Sequence, residues 1–218
     1  LFGPDLPSET VEAYIERTEG WVAALHLLRQ SPPGGAGVLE PTGILPPAEF
    51  VEYLHEQYFS KLTEEQRELL VSTAHVDRVD GDLGDYLTGR NGGWAELALL
   101  SQRHALIIRE LRADGLSYRY HQLLRDFLKT RQLQLGAARR AELHIKASAW
   151  FADRGDLFLA MRHACLAGQD GHAAHLLLES GGVQYGFANG AHRLAACLEL
   201  LPRQLTYKIP RLAVAKAY

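Results

Sequence analysis

Apolar residues recur at helical spacing along most of the chain, with polar residues between them. From position 48 to position 103 this spacing predicts a series of helices. Two of their starts are marked by local signals, a capping box formed by Thr63 and Gln66 and a helix cap at Asp80. The predicted inward-facing residues are Phe50, Val51, Leu54, Tyr58, Leu69, Leu70, Thr73, Leu83, Tyr86, Leu87, Leu97 and Leu100.

The pattern changes after Arg103. Residues 105–111 are apolar and partly β-branched, and residues 116–121 alternate between polar and apolar, which predicts two strands. Asp114-Gly115 between them is a strong signal for a hairpin turn. Helical spacing then resumes over 122–132. Three helices followed by a β-hairpin is the element order of a winged helix.

The chain from Ala137 onward predicts paired antiparallel helices. Leu143, Ala147 and Trp150 form one apolar stripe, and small residues recur at positions of close helix contact in the helices that follow. This pattern is typical of stacked hairpins of the tetratricopeptide kind. The predicted fold is therefore all-α: a winged-helix domain with one small β-hairpin, followed by tetratricopeptide-like helical hairpins.

Composition excludes several classes of protein. The net charge of -3 gives no general attraction to nucleic acid or to an acidic membrane. Cys165 and Cys197 each lie in an apolar helical stretch, which favours a reducing cytoplasm over a disulfide framework. No apolar run reaches the roughly 20 residues that span a bilayer, so no membrane association is predicted. The chain begins at Leu1 without a signal-like segment, and we expect it to be an internal piece of a longer protein.

Several short segments carry a family resemblance when they are taken together. They occur in the same order as in the MalT-like, LuxR-associated transcription activators, which are ATP-dependent switch proteins of the STAND type, and the chain resembles that family over nearly its whole length. The segments are Thr18-Glu19-Gly20-Trp21, Leu69-Leu70-Val71-Ser72-Thr73-Ala74, Leu87-Thr88-Gly89-Arg90, Tyr118-Arg119-Tyr120-His121-Gln122-Leu123-Leu124, Glu142-Leu143-His144, Ala149-Trp150-Phe151, Ala160 to Gly168, Leu201-Pro202 and Ile209-Pro210-Arg211-Leu212.

The resemblance implies a division of the chain into four parts. Residues 1–30 are the end of the NTPase helical subdomain, 31–47 are a Pro- and Gly-rich linker, 48–134 are the winged helix, and 135–218 begin a superhelical arm. It also implies partners: an upstream NTPase domain of the same chain, a small-molecule inducer or regulatory protein on the arm, and DNA bound through a C-terminal module that lies outside this sequence. The winged helix is expected to hold the resting, ADP-bound form closed.

Five residues are candidates for contact with ATP or ADP. The resemblance places His121 at the phosphates, and Gly20, Trp21 and Val22 near the base, with Val22 where relatives often have proline. Arg119, two residues before His121 on the same strand face, is placed to assist it. Simpler interpretations stay open, namely that His121 bonds to backbone, that Arg119 is solvated and that Trp21 anchors a core. We expect that replacing His121 by Ala would leave the fold nearly unchanged.

The sequence offers no candidate for catalysis. The glycine-rich stretch Gly34-Gly35-Ala36-Gly37 lacks the lysine and the hydroxyl residue that a phosphate-binding P-loop requires. We therefore predict that this chain is not an enzyme. His172 and His175, with His163 on the preceding helix, have a spacing that metal ions can use, but no cysteine or acidic cluster accompanies them and no metal site is predicted.

Two other functions remain as alternatives. A segment that is locally basic invites a DNA-binding winged helix, although the helix that would enter the groove, 94–103, presents only Gln102 and Arg103 to base edges. A free-standing repeat scaffold for protein interaction is the second alternative. The basic residues of the segment are Arg103, Arg109, Arg112, Arg119, Arg125, Lys129, Arg131, Arg139 and Arg140.

Overall fold

A computed structural model describes the backbone of residues 48–113 and 115–217 and the side chains of 51–113 and 115–214. The predicted ranges 1–30 and 31–47 lie outside the described residues. The described residues up to Gln134 form one compact unit, and those from Leu135 onward form a second. Within the described part of the chain, no helix is both long enough and apolar enough to cross a membrane.

The first unit is built on five helices, two of which start where the sequence predicted. Thr63 Oγ1 accepts from the Gln66 amide at 3.2 Å, and Gln66 Oε1 accepts from the Thr63 amide at 3.1 Å, which completes the capping box. Asp80 Oδ1 accepts from the amide of Leu83 at 2.7 Å. The helices are α1 (Ala48–Gln57), α2 (Glu64–Thr73), α3 (Gly81–Thr88), α4 (Gly93–Arg103) and α5 (Gln122–Gln134), with a 3-10 turn at Phe59–Lys61.

An antiparallel hairpin separates α4 from α5. Its strands are β1 (Ile107–Arg112) and β2 (Gly115–Tyr120). The register pairs Arg112 with Gly115, so Gly115 belongs to the ladder and not to the turn in which the sequence placed it. Its φ of 126° lies in a region that side-chain-bearing residues rarely adopt, which explains the need for glycine there.

A third short strand segment joins the hairpin. Val79, between α2 and α3, forms a bridge with Tyr118: the Val79 amide donates to the Tyr118 carbonyl at 2.9 Å, and the Tyr118 amide donates back at 2.7 Å. This pairing was not predicted. It ties the hairpin to the helices and completes the winged-helix arrangement, so the predicted fold class of the first unit is confirmed.

Most of the predicted inward residues whose side chains are described are buried; Val51 is half-buried, and Phe50 lies outside the described side chains. Tyr86 was predicted to face inward, but 43% of its surface is exposed. The short helix α3 buries Leu83, Gly84 and Leu87 instead, and Tyr86 falls outside that face. The residues with the most deeply buried side chains include Leu54, Leu70, Leu87, Leu97, Leu100, Leu123, Leu124, Phe127 and Leu128.

The second unit consists of consecutive helices that pack as neighbours, which confirms the predicted helical hairpins. Alanines such as Ala160, Ala164, Ala173 and Ala174 lie fully buried where the helices meet. The helix α9 was not predicted, because the glycines around it have low helix propensity. The helices are α6 (Ala137–Asp153), α7 (Leu157–Leu166), α8 (Asp170–Glu179), α9 (Val183–Asn189), α10 (Ala191–Glu199), α11 (Arg203–Lys208) and α12 (Pro210–Ala217).

Candidate functional site

His121 lies at the junction between β2 and α5, where the chain changes from strand to helix. Its amide donates to the Leu106 carbonyl at 2.8 Å, and its own carbonyl accepts from the Arg125 amide at 3.0 Å. Its Nδ1 accepts from the amide of Leu123 at 3.2 Å, so the side chain caps the first turn of α5. Only 5% of the residue is exposed. Backbone and side chain together hold the imidazole in one orientation.

The cap fixes which ring nitrogen of His121 can act as a donor. An Nδ1 that accepts from an N–H carries no proton, so the neutral ring carries its proton on Nε2. The bond to backbone that the sequence left as one interpretation is therefore present. Burial and capping argue against the expectation that replacement by Ala would leave the fold nearly unchanged, since losing a cap alone costs about 1 kcal/mol.

Arg119 is held by an ion pair within the wing. Its Nε lies 3.2 Å from Glu110 Oε1. Arg78 Nε and Arg112 Nε each lie 3.4 Å from the other oxygen of the same carboxylate. Arg119 is thus partly buried and paired, and not simply solvated. Three guanidinium groups around one carboxylate leave this face of the wing with a net positive charge.

The other predicted site residues fall in two groups. Gly20, Trp21 and Val22 lie outside the described residues. Two of the three histidines considered for a metal have a close side-chain partner in the second unit. His175 Nε2 lies 3.1 Å from Glu179 Oε1. His163 is buried, with its Nδ1 3.0 Å from His144 Nδ1 and its ring stacked on Phe151. His172 is exposed on α8.

Part of the basic segment is engaged by contacts within the protein. Asp77 pairs with Arg125, at 2.7 Å, and Glu142 pairs with Arg139, at 2.8 Å. The guanidinium of Arg131 lies 4.9 Å from the centre of the Phe127 ring. Basic side chains that are engaged by such contacts are less available to neutralise DNA phosphates.

Helix α4, which would enter a DNA groove, offers few polar side chains to base edges. Glu96 accepts from Gln66 Nε2 at 2.8 Å, and Trp94 Nε1 donates to Asp82 at 2.9 Å. On this helix only Gln102 and Arg103, at its end, are exposed and carry polar groups that can hydrogen-bond to base edges. This arrangement disfavours groove recognition by α4.

Comparison with known proteins finds a family model that matches part of the chain. The model of the MalT winged helix domain matches residues 55–140. The serine/threonine-protein kinase PknK of Mycobacterium tuberculosis is 34% identical over 218 residues, which are 99% of this chain and 20% of the kinase. The HTH-type transcriptional regulator MalT of Vibrio cholerae is 29% identical over 205 residues, which are 92% of this chain and 22% of that protein.

A third relative is the HTH-type transcriptional regulator AlkS of Pseudomonas putida, which is 26% identical over 157 residues, covering 72% of this chain and 17% of that protein. The chain thus spans about a fifth of the length of the curated relatives that it matches. The resemblance that was inferred from the sequence is confirmed: residues 55–140 match the MalT winged helix domain, and relatives along the chain are named MalT and AlkS.

Proposed function

We propose that this chain is the regulatory part of a signal-responsive, ATP-dependent transcription regulator of the LuxR-associated type. In this proposal the winged helix holds a nucleotide switch closed, and the helical hairpins connect the switch to a sensor arm. ATP or ADP binds in an NTPase domain of the larger protein, an inducer or regulatory protein acts on the arm, and DNA is bound by a separate module. The proposed location is the cytoplasm.

The relatives support a regulatory role in preference to a catalytic one. One is named a serine/threonine-protein kinase, and others are named transcriptional regulators, yet they share this segment. A segment common to proteins with different named activities is better suited to controlling an output than to producing it. We therefore assign no catalytic step to this chain.

His121 carries the proposal for the switch. Its Nδ1 accepts from the first turn of α5, so Nε2 is the donor of the neutral ring, and its backbone is bonded on both sides. A donor that is already held in place costs little further ordering when it meets a ligand. A phosphate oxygen of bound ADP accepts this bond only in the closed form, so the bond stabilises the closed form relative to the open one.

Two substitutions at His121 separate the proposed contact from the structural cap. Asn at this position keeps an oxygen that can accept from the Leu123 amide, but it removes the Nε2 donor. Gln keeps an amide donor near the place of Nε2 and is a poor cap. The larger protein that contains this segment is purified with each substitution, and bound ADP is quantified after desalting. Transcription without inducer and the thermal midpoint are measured in parallel.

The two variants are expected to behave in opposite ways. A hydrogen bond to a charged group contributes about 1.5 to 3 kcal/mol, so His121→Asn should weaken ADP retention about ten-fold to a hundred-fold and raise transcription without inducer. Its thermal midpoint should stay near that of the wild type. His121→Gln should retain ADP and lose about 1 kcal/mol of stability. If His121→Asn retains ADP and stays silent without inducer, His121 is only a structural cap and the switch role is wrong.

DNA binding by the winged helix itself is the rival function. A gel shift with this chain and duplex DNA at low salt distinguishes the two, because phosphate contacts give binding with a strong dependence on salt. We expect no shift, since α4 offers few polar groups to base edges and several arginines of the first unit are paired with carboxylates. A salt-sensitive shift that Arg103→Gln reduces would favour the DNA-binding function.

A further inference from the structure

The second unit contains a pocket that the proposed function does not use. It lies between the turn that joins α6 to α7 and the helices α9 and α10, and its volume is about 450 Å³. This is within the range of roughly 300 to 1,000 Å³ that is typical of small-molecule sites. The residues that matter for its chemistry are Arg154, Asp156, Leu157, Phe158, Tyr185 and Arg193.

Two arginines line this pocket against a single carboxylate. Arg154 comes from the turn after α6, and Arg193 comes from α10. The carboxylate is that of Asp156, whose Oδ1 accepts from the amide of Leu159 at 3.1 Å and caps α7. Two guanidinium groups against one carboxylate leave the pocket lining with a net positive charge, and both arginines are exposed.

Arg154 is oriented before any ligand arrives. Its guanidinium carbon lies 3.1 Å from the centre of the ring of Trp150, a buried residue of α6. Stacking on an indole leaves the edge of the guanidinium plane available for hydrogen bonds. A side chain that is already ordered loses less entropy on binding.

Neutral and apolar groups complete the lining. Burial raises the pKa of Tyr185, so its hydroxyl stays protonated and can donate. Leu157 and Phe158 contribute apolar surface to the lining. The pocket thus combines two cationic groups with an apolar wall, which suits a molecule with an anionic group on an apolar body.

We propose that this pocket binds a small organic anion, with its carboxylate or phosphate between Arg154 and Arg193 and its apolar body against Leu157 and Phe158. The inference goes beyond the proposed function, because binding here requires neither the nucleotide nor the switch. Arginine forms bidentate hydrogen bonds with carboxylates and with phosphates alike. The pocket therefore defines the charge of the ligand and the presence of an apolar body, and either oxyanion satisfies it.

Trp150 provides a direct reporter of binding. The chain has three tryptophans, and its three indole N–H signals can be assigned in an NMR spectrum with the help of Trp150→Phe. Phenyl phosphate and benzoate are titrated into the 218-residue chain at low salt, since exposed charges are screened by salt. Benzyl alcohol tests the apolar body without the charge, and inorganic phosphate tests the charge without the body.

The Trp150 indole signal should shift with phenyl phosphate or benzoate and much less with benzyl alcohol or inorganic phosphate. Arg154→Gln and Arg193→Gln should each weaken binding about ten-fold. Arg203→Gln is the matched control, because Arg203 is an exposed arginine of the same unit on α11, outside the pocket lining. Thermal midpoints of all variants are compared so that a loss of folding is recognised.

Three results would overturn the proposal. Equal weakening by Arg203→Gln would show attraction to surface charge alone. An affinity for inorganic phosphate equal to that for phenyl phosphate would show that the apolar wall does not contribute to binding. Unchanged affinity in Arg193→Gln, in a variant that melts like the wild type, would show that the anion does not bind in this pocket. Because no nucleotide is present in the titration, its outcome is independent of the test at His121.

Discussion

Two buried tyrosines of the winged helix offer a matched pair for testing what a buried hydroxyl contributes. The Tyr120 hydroxyl lies 2.6 Å from Thr73 Oγ1, and Thr73 Oγ1 itself donates to the Leu69 carbonyl at 2.7 Å. Since Thr73 has a single hydroxyl proton, Tyr120 is the donor in their bond. The Tyr58 hydroxyl, in contrast, has no hydrogen-bond partner among the described residues, although it is buried.

Replacing each tyrosine by phenylalanine should therefore have opposite effects. Tyr120→Phe loses a satisfied bond and should lower the free energy of unfolding by about 1 kcal/mol. Tyr58→Phe removes a buried polar atom without a partner and should be neutral or should raise the free energy of unfolding by about 1 kcal/mol. The ring of Tyr58, which meets His104 edge-on at 4.5 Å between ring centres, is kept in the variant.

Hydrogen exchange measured by mass spectrometry is the appropriate assay. It reports the free energy of opening for peptides of α2 and α5 separately from those of the second unit, so two-state unfolding of the whole chain need not be assumed. The wild type and both variants are compared at one pH and temperature. Equal destabilisation by Tyr58→Phe and Tyr120→Phe would refute the reasoning, because the Tyr58 hydroxyl would then have to make a favourable bond.

The same tyrosines predict a loss of stability in alkali. Burial raises the pKa of both phenols well above the usual value of 10.0. Above pH 10 the phenols of the unfolded chain release protons that the folded chain retains. The contribution of the two phenols to the free energy of unfolding is therefore complete below pH 10 and is lost as the pH rises further. Each Phe variant should show a shallower fall in urea denaturation between pH 9 and about pH 11. An unchanged slope in both would contradict the assignment.

Three further outcomes are expected. Gly81→Ala should destabilise the first unit by about 1 to 3 kcal/mol, because an added Cβ meets a tryptophan ring and backbone. Gly171→Ala, with open space at its Cβ, should be neutral or mildly stabilising, and similar thermal midpoints of the two variants would count against this. Burial raises the pKa of Cys165 and Cys197 to about 11. At pH 8, DTNB should therefore label both thiols far more slowly in the native chain than in the unfolded chain. Rapid labelling of the native chain would contradict this prediction. Burial lowers the pKa of His144 from 6.5. The contribution of this residue to the free energy of unfolding is therefore complete above pH 6.5 and is lost as the pH falls toward the lower pKa of the folded state. An NMR titration midpoint at or above 6.5 would contradict this.

The sequence by itself determined the local features of this protein. The capping box of Thr63 and Gln66, the cap at Asp80 and the position of the hairpin were all predicted, because each depends on residues within a few positions of one another. The ordered family segments also identified the winged helix, which the match over residues 55–140 confirms. Local signals failed where glycine weakens helix propensity, as at α9.

Only the tertiary structure decided which distant residues meet. The bridge from Val79 to Tyr118, the ion pair of Asp77 with Arg125 and the shared pocket of Arg154 and Arg193 left no mark in the spacing of residues. The structure also gave the side chain of His121 its role as a cap, which the sequence left open. Periodicity specifies which face of an element is buried, but the partner on the other side is chosen by packing of the whole unit. For this reason the fold class could be predicted, while the pairing of charges in the wing and the pocket of the second unit could not.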